Sequence, residues 1–288
     1  MRILVSVIVP TYKDWDRAKL CIDALYQQTA DLRNVEIILV NNDPNATLPE
    51  WTSKISSLIC ITEGKPGSYS ARNAGARRAN GDIFAFTDSD CIPSSNWIEV
   101  ILESFSNRNL ELLSGKVQII AKDQYSIRAI EAYDIAVGIR QDVYAKKGTA
   151  ATANLVCRRN VFASVGGFDE ERLSGGDTDF CKRLRALGVS LTYAPSLLVL
   201  HPARSSWSEI AGKARRLAGS RATTKGKEFY RFLFSVLMPP VVRAKLIITC
   251  SNLSFTQKLK ALLILISLKF VQVVEFFNVL VFGKQKVR

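Results

Sequence analysis

Gly81-Asp82-Ile83-Phe84-Ala85-Phe86-Thr87-Asp88-Ser89-Asp90 is the stretch on which the fold turns. Ile83 to Phe86 is a short, continuous apolar run, the pattern of a strand buried on both faces. Two carboxylates one residue apart follow at its C-terminal end. In an open α/β sheet, ligands bind outside the carboxyl ends of the strands. Side chains two apart on an extended chain point the same way, so Asp88 and Asp90 are expected to face one point at the lip of a sheet. Two oxygen donors there suit a hard divalent ion, Mg²⁺ or Mn²⁺, that also holds a diphosphate. A bare Asp-x-Asp is more often a solvated acidic turn, so the flanking sequence decides between the two.

Towards the N-terminus, Ile3 to Val9 is rich in β-branched residues and closes with Pro10-Thr11-Tyr12, a strand followed by a loop. Asp14 or Asp16 can cap a helix running to about Gln28, with Leu20, Cys21, Ala24 and Leu25 inward. Val35 to Val40 is a second buried strand, ending in Asn41-Asn42-Asp43-Pro44, and Leu58 to Ile61 is a third. Gly64-Lys65-Pro66-Gly67 is a turn, and Ser68 to Ala79 a helix stopped by Asn80-Gly81. Beyond the carboxylates, Pro93 opens a helix on which Trp97, Val100, Ile101 and Phe105 share a face. Strands alternating with helices, each strand continuously apolar, predict an α/β fold with a mostly parallel central sheet flanked by helices. No Gly-x-Gly-x-x-Gly follows the first strand and no Gly-x-x-x-x-Gly-Lys-Ser/Thr occurs, so neither a dinucleotide fingerprint nor a P-loop is supported.

The middle of the chain is less regular. Val117 to Ile120 reads as a strand and Tyr125 to about Ala145 as a helix. Small residues from Gly148 through Asn154 lead into another strand and would let a ligand approach the backbone. Arg158-Arg159-Asn160 starts a short helix ending at Gly166-Gly167-Phe168-Asp169. Gly175-Gly176-Asp177-Thr178-Asp179 is a turn before a helix from about Phe180 to Leu187. Val189 to Ala194 and Leu197 to Leu200 are strand-like, and His201, the one histidine of the chain, follows at once.

The net charge of +13 has a location. Residues 1–203 hold 23 Lys and Arg against 23 Asp and Glu, while the last 85 residues hold 16 basic side chains against three acidic ones, Glu209, Glu228 and Glu275. The six cysteines contain no Cys-x-x-Cys pair, so a zinc or redox motif is not expected, and reduced packed thiols in a cytosolic protein are the default. Met1 to Val5 is too short an apolar run for a leader and lacks a small-residue cleavage site; it reads as strand. In the tail, Trp207 to about Ala222 is basic and helical. Phe232 to Met238 and Val241 to Thr249 are apolar, and Leu262 to Phe282 is long enough to span a bilayer. Lys269 and Glu275 near its centre would each cost a few kcal/mol on an insertion scale. With Gln272 and Asn278 they spread over about half of a helix at roughly 100° per residue. A helix lying in the interface, wet on one side, is therefore favoured over a span or an ordinary packed helical subdomain. The flanking lysines add attraction to an anionic leaflet. The long aliphatic stretches argue against nucleic acid as the partner of the basic tail.

The ordered set Val9-Pro10-Thr11-Tyr12, Leu39-Val40-Asn41-Asn42, Ser70-Ala71-Arg72-Asn73-Ala74-Gly75 and Phe86-Thr87-Asp88-Ser89-Asp90 resembles family-2 glycosyltransferases of the GT-A fold. Val165-Gly166-Gly167-Phe168-Asp169, Gly176-Asp177-Thr178-Asp179 with Arg183, and Leu200-His201-Pro202 continue the same resemblance over about 200 residues. It implies a GT-A catalytic domain over 1–203, with a nucleotide-binding half to about residue 110 and an acceptor half from 111. The basic, apolar helical tail is then 204–288. It also implies metal-dependent, inverting transfer from a nucleotide-sugar. On that resemblance Asp90, then Asp88 and His201, are expected as metal ligands for Mn²⁺ or Mg²⁺. Asp177 is expected as the base that takes the acceptor proton, although it or Asp179 could instead cap the following helix. Pro10, Thr11, Tyr12, Asn42, Arg72 and Asp88 are expected around the nucleotide, and Asn154, Gly176 and Asp179 near donor or acceptor.

Two positions depart from the family pattern. Gly176 stands where Glu is usual, and Asn41-Asn42 replaces an acidic pair, so the resemblance does not imply uridine as the base. The Gln-x-x-Arg-Trp of processive synthases is absent from 202–230, which points to addition of a single sugar. The expected protein works at the cytoplasmic face of a membrane, peripherally or shallowly inserted, on a glycan or lipid-linked acceptor. The competing readings are a catalytically degenerate GT-A membrane scaffold and a nucleotidyltransferase. The second should carry a Gly-rich phosphate loop where Pro10-Thr11-Tyr12 stands.

Overall fold

The computed structural model describes residues 4–172, 174–222 and 226–283. Among them eight strands form one sheet in the order β3-β2-β1-β4-β7-β6-β8-β5. β1 (Val5–Thr11), β2 (Val35–Asn41), β3 (Leu58–Thr62) and β4 (Ile83–Thr87) are its parallel part. Parallel neighbours need a crossover: α1 (Trp15–Tyr26) links β1 to β2, the short α2 (Glu50–Ser53) lies between β2 and β3, and α3 (Ser68–Arg78) carries the chain from β3 back to β4 beside β1. Every residue of β1 is buried, as a central strand covered on both faces requires. α3 lies so close to this sheet that a Cβ on Gly75 would stand 2.5 Å from Ile8 Cγ2 and 3.1 Å from Val40 Cγ2. On α1 the inward set is Ala18, Cys21, Ile22 and Leu25, whereas Leu20, expected inward, is 56% exposed.

Beyond β4 the sheet changes sense. β7 (Asn154–Arg158) runs antiparallel to β4 and to β6 (Leu112–Ile120), and β5 (Ile92–Pro93) runs antiparallel to β8 (Leu191–Pro202). Continuous apolar runs report burial, not direction, so the mixed character was not readable from them. Pro93 sits in β5 rather than opening a helix, and α4 starts at Trp97 (Trp97–Ser106) with Trp97, Ile98, Ile101 and Phe105 buried. The expected helix over 125–145 is two, α5 (Ala129–Val137) and α6 (Gln141–Ala145), broken at Gly138, where ψ is −144°. β8 is one strand through Pro195, not two. α7 (Arg159–Ser164) and α8 (Gly176–Ala186) follow the pattern, but α8 begins four residues before the expected Phe180.

The chain divides into two compact units: Met1–Gln118 with Ile139–His201, and Ile119–Gly138 with Pro202–Arg288. In the first, Phe84, Phe86, Phe162, Phe168 and Phe180 make one aromatic cluster that includes Tyr69. Each such ring is worth about 1.5–3 kcal/mol on burial. In the second unit α5 joins α9 (Trp207–Ala222), α10 (Lys227–Leu237), α11 (Val241–Thr249) and α12 (Phe255–Phe282). Ala132, Tyr133 and Ala136 share a core with Ile210, Ala214, Ile247 and Leu265. Residues 119–138, read from sequence as part of the acceptor half, thus pack with the C-terminal helices. α12 buries Ala261, Leu265, Leu268, Gln272, Phe276 and Val279, an i, i+3/i+4 stripe. Its other face leaves Leu263, Ile266, Phe270, Val281 and Phe282 more than 60% exposed. Of the polar side expected to be wet, Gln272 is buried, whereas Lys269, Glu275 and Asn278 are part-exposed, and Lys269 Nζ donates to the Ser235 carbonyl at 2.7 Å.

Candidate active site

β1, β2 and β3 end in register at Thr11, Asn41 and Thr62, β4 ends at Thr87 about two residues short of them, and the candidate side chains lie at that edge. β4 stops at Thr87, and residues 88–91 close a turn through Cys91 N–H to the Asp88 carbonyl at 3.0 Å. The strand alternation expected to align the two carboxylates therefore does not reach Asp90, and each has its own basic partner. Asp88 Oδ1 accepts from Arg72 Nη2 of α3. Asp90 Oδ2 lies 3.4 Å from His201 Nε2 and 4.0 Å from Arg17 Nη1. The pairing of Ile92 with Leu200 sets this second contact, since it puts the last residues of β8 beside the turn. His201 is only 3% exposed. One ligand atom each from Asp90, Cys91 and His201 lies within 4.8 Å of the others. The fit to a divalent ion is good for the carboxylate and imidazole, because two ligands of an ion bound at about 2.1 Å stand roughly 3 Å apart. It is poor for Cys91, whose thiol burial pushes well up, Asp88 and Asp90 adding to the effect; a ligating sulfur must be a thiolate.

Among the described residues, two buried polar atoms in this region have no hydrogen-bond partner, Arg72 Nε and Thr11 Oγ1. Arg72 is 4% exposed and also donates from Nη1 to the Ser68 carbonyl at 3.2 Å. Orphaned donors at nearly full burial are rare and need an explanation; a phosphate or hydroxyl ligand supplies one. Tyr12 stands 46% exposed at the end of β1. Lys13 follows in the left-handed region at φ 57°, its ammonium 5.2 Å from the Tyr12 ring centre and 3.7 Å from Asp43 Oδ2. Pro10 is buried within the strand, paired with Val40.

Asn42 has a different occupation from the expected base contact. Its Nδ2 donates to the Glu63 and Lys65 carbonyls at 3.0 and 2.8 Å, and its Oδ1 accepts from Gly67 N–H at 2.8 Å. It thereby holds the 63–67 turn, in which Gly67 takes φ 129°, a conformation open only to glycine. Asn41 is likewise spent on both backbone groups of Asp43. The carboxylate at this edge is Asp43, which the sequence reading passed over although it is the next residue. Asn154 is fully buried; Oδ1 accepts from Trp97 Nε1 at 3.0 Å, and Nδ2 donates to the Lys116 and Leu197 carbonyls at 3.0 and 2.8 Å. Its side chain clamps the sheet and is not presented to a donor or acceptor.

Asp177 lies in the first turn of α8, which Gly175 and no side chain caps, so neither Asp177 nor Asp179 serves as the cap considered above. Burial raises the Asp177 carboxyl, opposed by Thr178 N–H and the Arg72 guanidinium and reinforced by Asp88. Tyr69, on α3, accounts for the glycine beside it. A Cβ at position 176 would stand 2.7 Å from Tyr69 Cε2 and 2.8 Å from Cζ, so the ring occupies the space of a side chain there. The same ring carries its hydroxyl to 3.5 Å from Asp177 Oδ1, at the long end of hydrogen bonding. Tyr69 was missed because nothing in its spacing connects it to a residue 107 positions later. Asp179 pairs with Arg183 Nε at 2.9 Å and Arg172 Nη2 at 3.2 Å. Arg183 in turn donates to the Val165 and Gly167 carbonyls, and Asn73 bonds both backbone groups of Phe168. These residues fasten the 165–168 loop rather than face the edge.

Comparison with known proteins identifies the family and the fold. Residues 6–166 match the family description "Glycosyl transferase family 2". The chain is 32% identical to glycosyltransferase AglE of Haloferax volcanii over 206 residues, covering 69% of this chain and 67% of that protein. It is 27% identical to a pre-mycofactocin glycosyltransferase of Mycobacterium tuberculosis over 228 residues, which is about half (47%) of that protein's length. Among solved structures, a mannosyltransferase from Pyrobaculum calidifontis, in complex with GDP-Man and Mn²⁺, superposes with a TM-score of 0.62 at 16% identity. That match covers 99% of this chain and 89% of the other. S. aureus TarS, in complex with UDP, gives 0.56 at 14% identity over 96% of this chain and 90% of the other. By the family match and the AglE likeness, with the fold of the solved relatives, this chain belongs to glycosyl transferase family 2 and has the GT-A fold.

Proposed function

We propose that the chain transfers one sugar, with inversion, from a nucleotide-sugar to a hydroxyl of a lipid-linked or membrane-proximal glycan at the cytoplasmic face of a membrane. What supports the donor site most directly is the edge described above. A carboxylate–imidazole pair and two orphaned buried donors converge there, where sheet ligands bind. Asp90 and His201, with Asp88 beside them, would hold Mn²⁺ or Mg²⁺, whose charge offsets that growing on the leaving diphosphate. Arg72 can present Nε to a phosphate oxygen while Asp88 keeps its guanidinium in place. Thr11 and Tyr12, with Lys13 and Asp43, are the groups left to meet ribose and base. Asp177 is the base: its raised carboxyl is better matched to taking a proton than an ordinary one. The two solved neighbours in complex with GDP-Man or UDP are consistent with a nucleotide-sugar donor and leave the sugar open.

The membrane reading is supported by the second unit. α12 is long and apolar enough to cross a membrane by length and composition. Packed along one stripe and apolar on the other, it suits a helix seated shallowly in one leaflet. Lys245 and Lys260 are exposed on the same unit and suit an anionic surface.

Thermal unfolding with GDP, UDP, dTDP or CMP, each with Mn²⁺ or EDTA, tests the donor site. A nucleotide at about 100 times its dissociation constant stabilises by roughly 2.7 kcal/mol. One nucleotide should raise the midpoint by several degrees, and EDTA should abolish the rise. No rise with any nucleotide, with or without vesicles, would overturn the enzyme reading in favour of the scaffold. Sedimentation with anionic vesicles tests the membrane reading independently.

A further inference from the structure

α10 and α11 meet at Pro239-Pro240 in an elbow, the two helices bent by 57°. α10 packs through one stripe: Phe229, Leu233 and Val236 join Phe276 and Val279 in a core, and the Phe229 and Phe276 rings stack at 6.0 Å. α11 packs through Ile247, which is fully buried. α10 carries a second apolar stripe at i, i+4 and i+7. Its members Tyr230, Phe234 and Leu237 are 70%, 64% and 56% exposed. Across the corner Val241 and Val242 are 68% and 76% exposed. The apolar arc is thus wider than the face the protein covers, and an exposed patch of large apolar side chains marks an interaction surface.

The chemistry of the elbow says what covers it. Residues 232 to 242 include no ionisable side chain, and the run is closed by Arg231 on one side and by Arg243 and Lys245 on the other. Arg231 and Lys245 are exposed. The backbone of the corner is closed too. Met238 N–H donates to the Phe234 carbonyl at 2.9 Å, Pro239 and Pro240 have no N–H, and Val241 N–H donates to the Pro239 carbonyl at 2.8 Å. From Met238 to Val241, then, no backbone donor has to be stripped of water when the corner leaves it. An apolar wedge with a cationic collar and no spare donors at its tip matches a lipid leaflet with anionic headgroups. A second copy of the chain is a poorer match. With 16 basic against three acidic side chains over 204–288, it would set like charge against like.

We propose that the α10–α11 elbow enters the headgroup–acyl boundary of an anionic leaflet, with Phe234, Leu237 and Val242 below the phosphates and Arg231 and Lys245 at their level. The inference rests on the membrane reading given above and names a second inserting element in addition to α12. Lipid-exposed backbone that is not helical is not tolerated in the hydrocarbon core, so the corner stops at about 5–10 Å depth. The Tyr230 ring there keeps its hydroxyl among the headgroups.

The test uses the full chain with vesicles of phosphatidylcholine, alone or mixed with phosphatidylglycerol. Phe234→Gln with Leu237→Gln and Val242→Gln changes three exposed side chains. Circular dichroism and the unfolding midpoint should stay as in wild type, while vesicle binding falls about a hundredfold. Arg231→Gln with Lys245→Gln should weaken binding to the anionic vesicles about twenty-five-fold, roughly fivefold per charge, and leave binding to neutral vesicles unchanged. Met238→Trp should add fluorescence that phosphatidylcholine brominated in mid-chain quenches beyond the quenching seen with wild type. Binding of the triple variant at wild-type strength, or a Trp at 238 that bromine does not quench, would overturn the elbow and leave the membrane reading to α12. The Arg231 and Lys245 double variant binding as wild type does would overturn the anionic part. A lipid-free dimer in sedimentation velocity that the triple variant breaks into monomers would overturn the leaflet in favour of a second copy. Wild type that binds neither kind of vesicle would overturn the membrane reading itself and the elbow with it.

Discussion

A methyl group at Gly176 probes how Tyr69 and Asp177 are held together. The added Cβ would meet three Tyr69 ring carbons at 2.7, 2.8 and 2.9 Å, where carbon pairs prefer about 3.5–4.0 Å. The ring is 6% exposed and locked against Phe168, so it cannot swing into water. Gly176 lies outside the left-handed region, so Ala meets no backbone penalty and would otherwise gain about 0.5–1 kcal/mol within a helix. Overpacking of this kind costs about 1–3 kcal/mol, and at roughly 2–4 °C per kcal/mol for a domain of this size the midpoint should fall by several degrees. Tyr69→Ala alone should cost about 3–5 kcal/mol, as for other large aromatic truncations. In that background Gly176→Ala should cost nothing or stabilise slightly. Urea unfolding of the two single variants and the double variant then gives an interaction energy of about 2 kcal/mol, well above the ~0.5 kcal/mol of independent sites. Additive costs, or a Gly176→Ala variant as stable as wild type, would refute the packing argument. The displaced hydroxyl should also slow transfer while leaving the nucleotide-induced midpoint rise intact.

Asp177→Asn should abolish transfer, keep the nucleotide-induced rise, and stabilise the fold at neutral pH. The carboxyl is raised above 3.8 in the fold, so its contribution to stability is full below the unfolded pKa and is lost as pH rises through the folded one. Melting of wild type and variant at pH 4 and pH 7 should show the gain mainly at pH 7. Arg72→Met strips Asp88 of its partner and removes the orphaned Nε, so nucleotide affinity measured by calorimetry should fall about a hundredfold or more, from two charge-assisted hydrogen bonds. Asn154→Ala orphans Trp97 Nε1 and two carbonyls at about 1–3 kcal/mol each; its unfolding midpoint should collapse with and without Mn²⁺ alike. Leu263→Ser with Ile266→Ser and Phe270→Ser changes only exposed positions of α12, so circular dichroism should be unchanged while vesicle binding is lost.

Much of the chain was legible because burial has a local signature. Val5–Thr11, Val35–Asn41 and Ile83–Thr87 are continuous apolar runs, and a strand covered on both faces has to be one. The motif order fixed which residues end those strands, hence Asp88, Asp90, Thr11 and Arg72 as candidates at one edge. The excess of positive charge and the long apolar helix of the last 85 residues were likewise properties of composition. Helix breaks were harder: the 125–145 pattern stays apolar through Gly138, whose backbone alone ends α5.

What only the tertiary structure decided is which side chains meet. Asn42 and Asn154 are ligand-competent residue types in suggestive places, yet their amides are consumed by carbonyls up to 43 residues away. His201 reaches Asp90 through the antiparallel pairing of β5 with β8, and strand direction leaves no trace in an apolar run. The glycine at 176 looked like a missing side chain until the Tyr69 ring was found in its place. Periodicity and propensity act over a few residues and determine which groups are buried; the pairing of groups a hundred residues apart depends on chain path, which those local rules do not encode.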